Sequence, residues 1–302
     1  MHGILEEKVA VLKKRKNAVI LAHNYQLPEV QDIADYVGDS LGLSIEASKT
    51  KADIIVFCGV HFMAETANLL NPSRKVLMPE PKAGCPMANM INGSEVRKLK
   101  AEHPGAKVVC YINSTAEVKA ESDVCCTSGN AVEVVRSLGD QNVIFVPDQY
   151  LGSWVCEKLG REMVLWRGFC NIHVKILPQH IEDARKKHPD AFVMCHPECT
   201  PAVRNASDFV ASTSGMVSFP GTSDIKGFIV ATEVGILHQL KKKYPGKEFY
   251  PAFEGAVCPN MKLTSLEKVL WCLEEEKEEI VVPSATALGA KGCIDRMLSF
   301  HF

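Results

Sequence analysis

Three of the twelve cysteines stand at regular distances: Cys85, Cys170 and Cys258 lie 85 and 88 residues apart. Each sits in a loop after a short apolar stretch, in Ala83-Gly84-Cys85-Pro86, Gly168-Phe169-Cys170-Asn171 and Ala256-Val257-Cys258-Pro259. Three thiolates brought to one point, with no fourth at that spacing, suit an iron–sulfur cluster whose remaining iron stays open as a Lewis acid. A zinc ion with three sulfur ligands and a bound water would use the same residues, and the sequence leaves both open. There is no Cys-x2-Cys pair, so a local zinc finger or ribbon is not expected and the ligands must come from distant segments. The nine other cysteines (58, 110, 125, 126, 156, 195, 199, 272 and 293) fall mostly in apolar stretches and read as core residues. Cys195 and Cys199 flank His196-Pro197-Glu198 and form a weaker metal-like grouping.

A second set of polar groups follows the ends of short apolar runs. These are His23, Asn24 and Tyr25; then Tyr111, Asn113 and Ser114; then His196 and Glu198. In open parallel sheets ligands bind beyond the carboxyl ends of the strands, which makes these residues candidates for one shared site. Ser40, Ser128 and Thr213, with Ser212 beside it, each precede a helical stretch. As N-caps they would be structural. The same helix starts point free N–H groups and a positive dipole end outward, which suits carboxylate or phosphate, so three of them imply a small, multiply anionic substrate.

The elements that must position these groups repeat three times. Ala18-Val-Ile-Leu-Ala22-His23, Ala106-Lys-Val-Val-Cys110-Tyr111 and Ala191-Phe-Val-Met-Cys195-His196 each read as a buried strand running into a polar end. Counted from His23, Tyr111 and His196, the seventh residues on are Val30, Val118 and Val203, and the twelfth are Asp35, Asp123 and Asp208. Seventeen on stand Ser40, Ser128 and Thr213, and further apolar strands begin in register at Ile54, Asn142 and Gly227. Short strands alternating with helices predict an α/β protein of three homologous three-layer αβα domains, with short parallel sheets around a pseudo-threefold axis. The expected division is 1–87 plus 262–302, then 88–172, then 173–261. Thr264-Ser265-Leu266-Glu267 reads as a capping box for a C-terminal helix that reaches about Glu279 and belongs to no repeat.

Composition narrows the function classes. The 302 residues carry 34 Lys+Arg against 36 Asp+Glu, a net charge of −2, which gives no electrostatic footprint for nucleic acid or an anionic membrane. An apolar fraction of 46% and a charged fraction of 23% are those of a globular protein. No apolar run is long enough to span a bilayer, and only five apolar residues, Ala18 to Ala22, precede His23, too few for a secretory signal core. The expectation is a cytoplasmic protein without membrane or nucleic-acid partners.

Together these motifs are recognisable. His23-Asn-Tyr-Gln26, Gly38-Asp-Ser40, Cys85-Pro-Met-Ala-Asn-Met90, Tyr111-Ile-Asn-Ser114, His196-Pro-Glu198 and Ser212-Thr-Ser-Gly215 resemble the motifs of the quinolinate synthase A family, across essentially the whole chain. The resemblance implies three αβα domains holding a [4Fe–4S] cluster on one cysteine each. It also implies condensation of iminoaspartate with dihydroxyacetone phosphate to quinolinate, phosphate and water in de novo NAD biosynthesis, with an aspartate oxidase or dehydrogenase as imine source. By the same resemblance Cys85, Cys170 and Cys258 are the ligands, while His23, Ser40, Tyr111, Asn113, Ser128, Ser212 and Thr213 hold carboxylates and phosphate. His196 and Glu198 contact substrate and transfer protons, Tyr25 and Tyr111 assist, and His173 stands near the cluster. Some bacterial members carry a Cys-x2-Cys-x2-Cys motif near the C-terminus. Here only Cys272 and Cys293 follow Cys258, so thiol–disulfide regulation of that kind is not expected.

Two other classes use the same features differently. A cluster-dependent hydro-lyase acting on one hydroxy acid needs no triose phosphate, and phosphate release separates it. An iron–sulfur redox sensor needs an output surface such as a basic helix, and none is visible in the sequence.

Overall fold

The three apolar runs form the first strands of three small sheets in the computed structural model, which describes residues 2–300. The first sheet contains β1 (Ala18–His23), β2 (Tyr36–Gly38), β3 (Ile54–Cys58) and β4 (Lys75–Leu77). The second contains β5 (Lys107–Tyr111), β6 (Val124–Cys126), β7 (Val143–Val146) and β8 (Val164–Leu165). The third contains β9 (Phe192–Cys195), β10 (Phe209–Val210), β11 (Gly227–Ala231) and β12 (Glu248–Pro251). The spatial orders are β2-β1-β3-β4, β6-β5-β7-β8 and β10-β9-β11-β12, so all three sheets share one topology. All their strand pairs are parallel, and the register repeats: Ile20 pairs with Val56, Val108 with Ile144 and Val193 with Ile229. Helices cover the sheets, because strands apolar on both faces must be shielded on both. The fold class is therefore α/β with three similar αβα units.

The repeated aspartates have a structural job. Asp35, Asp123 and Asp208 accept the backbone N–H of Ile20, Val108 and Val193 at 2.8, 2.9 and 2.8 Å. Each returns its own N–H to the carbonyl of that same residue. The pair of bonds closes the gap where the second strand leaves the first, so the N–H and C=O there are not left unpaired. Val30, Val118 and Val203 are completely buried.

The C-terminal region departs from expectation in three ways. The helix is Leu266–Glu275, and its cap is Ser265, whose hydroxyl accepts from the Lys268 amide, not Thr264. Glu276 adopts a left-handed φ of 50° and ends the helix before Glu279. That helix also belongs to the repeat after all. Helices Gly93–Glu102, Pro178–Lys187 and Leu266–Glu275 each start eight residues after Cys85, Cys170 and Cys258. The chain then returns to the first sheet, where Glu279 bridges Leu77 in the antiparallel sense.

The last helix, Ser284–Leu298, packs mainly against helix Ala116–Ala120 and β6 of the second unit and to a lesser extent against helix His61–Leu70 of the first. A Cβ on Gly289 would sit 2.9 Å from the Ala120 carbonyl oxygen, so glycine is what allows this approach. Cys293 Sγ lies 3.1 Å from Cys125 Sγ in the same interface. The helix thus touches both the first and the second unit. Its docking is set by side-chain fit to a distant strand, which no local pattern encodes.

Candidate active site

The carboxyl ends of β1, β5 and β9 line one cavity. His23 and Tyr25 come from the first unit, Tyr111, Asn113 and Ser128 from the second, and His196, Glu198 and Thr213 from the third. Cys85, Cys170 and Cys258 line the same cavity, as do Ser40 and His173. Ser212 does not. Its hydroxyl caps helix Thr213–Ser218 by accepting the Gly215 amide at 3.3 Å.

That shift of one residue recurs. Helix Ser40–Lys49 is capped by Asp39, which accepts from the Gly42 amide, and Thr127 accepts from the Gly129 amide. Position sixteen of the repeat thus serves the backbone, with Asp39 and Thr127 also reaching the cavity wall, and position seventeen lines the cavity in all three units. Ser40, Ser128 and Thr213 are not N-caps.

Each cysteine is held in the same way. The backbone amides of Met87 and Ala88 act on the Cys85 thiol, those of Ile172 and His173 on Cys170, and those of Asn260 and Met261 on Cys258, each favouring the thiolate. A short 3₁₀ turn follows each, Met87–Asn89, His173–Lys175 and Asn260–Lys262, and aims these N–H groups at the sulfur. Burial pushes the Cys85 thiol up to about 12 and raises those of Cys170 and Cys258 too, with the amides acting in the opposite direction. Two N–H donors per sulfur suit a thiolate, while burial makes a free thiolate costly. A bound cation resolves that conflict, so the donor set fits a metal centre.

Glu198 is the hub of the polar wall. The Tyr111 hydroxyl donates to its Oε1 at 2.6 Å and Asn113 Nδ2 at 3.5 Å. His173 Nδ1 lies 2.7 Å and His196 Nδ1 3.7 Å from Oε2. Burial alone would raise the Glu198 carboxyl, but His173, His196 and the Tyr111 hydroxyl outweigh it and hold it down to about 2. His196 stacks on His173 at 4.7 Å, and its Nε2 meets Ser128 Oγ at 3.2 Å. Burial lowers His23 and His196 to about 3, with His196 and Lys262 adding to the effect at His23 and His173 at His196. Tyr25 and Tyr111 are pushed upward, first by burial and then by the Glu198 charge. Near neutral pH His23 and His196 are therefore neutral imidazoles, and Tyr25 and Tyr111 neutral phenols, around the Glu198 carboxylate.

One residue the motifs did not flag braces the wall. Thr232 Oγ1 joins the Tyr25 hydroxyl at 2.6 Å to His173 Nε2 at 2.8 Å, and no sequence pattern announces it. Asn24 Nδ2 donates to Thr213 Oγ1 at 3.0 Å and ties the first unit to the third. Ser114 is turned away, its hydroxyl donating to the Tyr111 carbonyl. Cys195 and Cys199 are fully buried and do not line the cavity.

A family profile described as "Quinolinate synthetase A protein" matches residues 7–299. The chain belongs to that family. It is 53% identical over 295 residues to the quinolinate synthase of Dehalococcoides mccartyi strain CBDB1, covering 98% of each chain. It is 50% identical over 293 residues to that of Alkaliphilus metalliredigens, covering 97% of each, and 50% identical over 297 residues to that of Methanoregula boonei, covering 98% of each. The quinolinate synthetase A family is a family of enzymes, and this chain is one of them. No helix among its described residues is long and apolar enough to cross a membrane.

Proposed function

We propose that the chain is a quinolinate synthase that condenses iminoaspartate with dihydroxyacetone phosphate to quinolinate, phosphate and water on the de novo route to NAD. A [4Fe–4S] cluster would be held by Cys85, Cys170 and Cys258. What carries the reading is the convergence of three identically braced thiols and the Glu198 hub on one cavity. When bound, such a cluster supplies an open iron as a Lewis acid for loss of hydroxyl groups.

The protein's own groups do the rest. The hydroxyls of Ser40, Ser128 and Thr213, with His23 and Asn113, bind carboxylates and phosphate as neutral donors. Asn113 Oδ1, buried without a protein partner, accepts from an N–H or O–H of substrate. Glu198 holds or receives a proton at its oxygens, and Tyr111, already donating to Oε1, returns one. His196, stacked on His173, serves the same proton traffic, while Tyr25 positions the triose part. Enclosure protects reactive imines from water.

Three repeat units at 1–87, 88–172 and 173–261, with the tail from 262 shared between the first two, match this division of labour. We place the enzyme in the cytoplasm beside an aspartate oxidase or dehydrogenase that supplies the imine. The test is an anaerobic assay with iminoaspartate generated in place. Quinolinate and phosphate should form one to one; water loss from a hydroxy acid without phosphate release would favour a hydro-lyase.

One observation favours a second reading. Ligand atoms of Cys170, His173 and Glu198 lie within 4.8 Å of one another, close enough for a single divalent ion such as zinc. Zinc without sulfide in the purified protein would select it.

A further inference from the structure

We infer that Asp148 and Glu233 are positioning residues that preset the loops carrying Cys170 and Cys258, and that the loop of Cys85 lacks this device. They occupy one place in the repeat, thirty-seven residues after Tyr111 and His196, where the first unit has Val60. Both side chains are fully buried.

Glu233 Oε1 accepts the Cys258 amide at 3.0 Å and Oε2 the Gly235 amide at 2.7 Å. Lys262 lies 2.9 Å from Oε1 and also donates to the Tyr25 carbonyl, so one ion pair joins the Cys258 loop to the Tyr25 loop across two units. Asp148 Oδ1 accepts the Tyr150 and Leu151 amides at 2.7 and 2.9 Å, Asp148 bridges Gly168 in the Cys170 loop, and the Cys170 amide acts on the same carboxylate. At Cys258 the carboxylate thus pins the amide of the ligand residue itself, and at Cys170 it braces the loop that carries the ligand. Val60 can accept no hydrogen bond from its side chain. Fixing a ligand loop before the metal arrives lowers the ordering cost of binding and slows release.

This inference rests on the metal-centre reading above, and its test separates the two. In the anaerobic full chain, iron and sulfide in the parent test that reading. Asp148→Asn and Glu233→Gln test the inference, because an amide turns an N–H₂ donor toward the N–H it should accept. Each variant should lose iron to a chelator at least tenfold faster than the parent, and Glu233→Asp should recover part of the difference. Iron release at the parent rate from both amide variants would overturn the inference while leaving the metal centre standing. Should either variant fail to fold, hydrogen exchange in the parent decides. The Cys170 and Cys258 amides should exchange at least threefold more slowly than that of Cys85, and any smaller ratio would overturn it.

Discussion

The two layers of each repeat unit treat the same periodicity in opposite ways. On the sheet side, Asp35, Asp123 and Asp208 are the same residue making the same two backbone bonds in all three units. On the cavity side, the strand ends read His23, Tyr111 and His196, and the place held by Asp148 and Glu233 is Val60 in the first unit. Backbone geometry is identical in three copies and so calls for identical partners. The cavity must handle one asymmetric substrate pair, so its three faces differ. Identity across the repeat marks scaffold, and difference marks chemistry, with two exceptions that line the cavity in every unit: the three cysteines and the hydroxyls of Ser40, Ser128 and Thr213.

Substitutions should separate the layers. Glu198→Gln removes the carboxylate on which Tyr111, His173 and His196 converge. Quinolinate formation should fall by a factor of about 10²–10³ with little change in unfolding temperature, as expected for a positioned acid–base group. Condensation should survive while a later step stalls, and a parent-like rate would remove Glu198 from the mechanism. Asp123→Ala should do the reverse. It breaks a backbone bracket and should cost about 1–3 kcal/mol in denaturant unfolding with kcat unchanged in the folded fraction. A loss of kcat without a loss of stability would erase the distinction between layers.

Acid should act through the cavity layer. His23 and His196 are held at about 3 in the folded chain against an ordinary 6.5, so they bind protons more weakly folded than unfolded. Below pH 6.5 the unfolded chain takes up protons that the folded chain refuses. Stability should therefore fall as pH drops from about 6.5 toward 3. His23→Asn should flatten that slope, and an unchanged slope would contradict the assignment. The smallest effect separates neighbours. Ser212→Ala should cost about 1 kcal/mol through its lost cap and leave KM alone, whereas Thr213→Ala should raise KM. A KM effect at Ser212 would return that residue to the cavity.

Much of this was legible in the sequence because the strands are short, apolar on both faces and repeated. The parallel sheets, the three cysteines and most of the cavity wall follow from that local pattern. What escaped depends on backbone direction or distant packing. Which of Ser212 and Thr213 caps the helix turns on one residue of backbone phase that composition does not carry. The kinship of helix Leu266–Glu275 to Gly93–Glu102 and Pro178–Lys187 is hidden when the repeat is phased from strand ends, because its third copy falls after the last cysteine. Thr232 is one of many buried threonines until Tyr25 and His173 are seen to meet on it.

The central claim is that three equivalent loops hold one iron–sulfur centre beside the Glu198 hub. The most direct test is anaerobic iron and acid-labile sulfide analysis, with the visible spectrum, of the parent and of Cys85→Ser, Cys170→Ser and Cys258→Ser. The account predicts about four irons and four sulfides per chain in the parent, lost in each variant. Zinc in place of iron, or a cluster that survives all three substitutions, would contradict it.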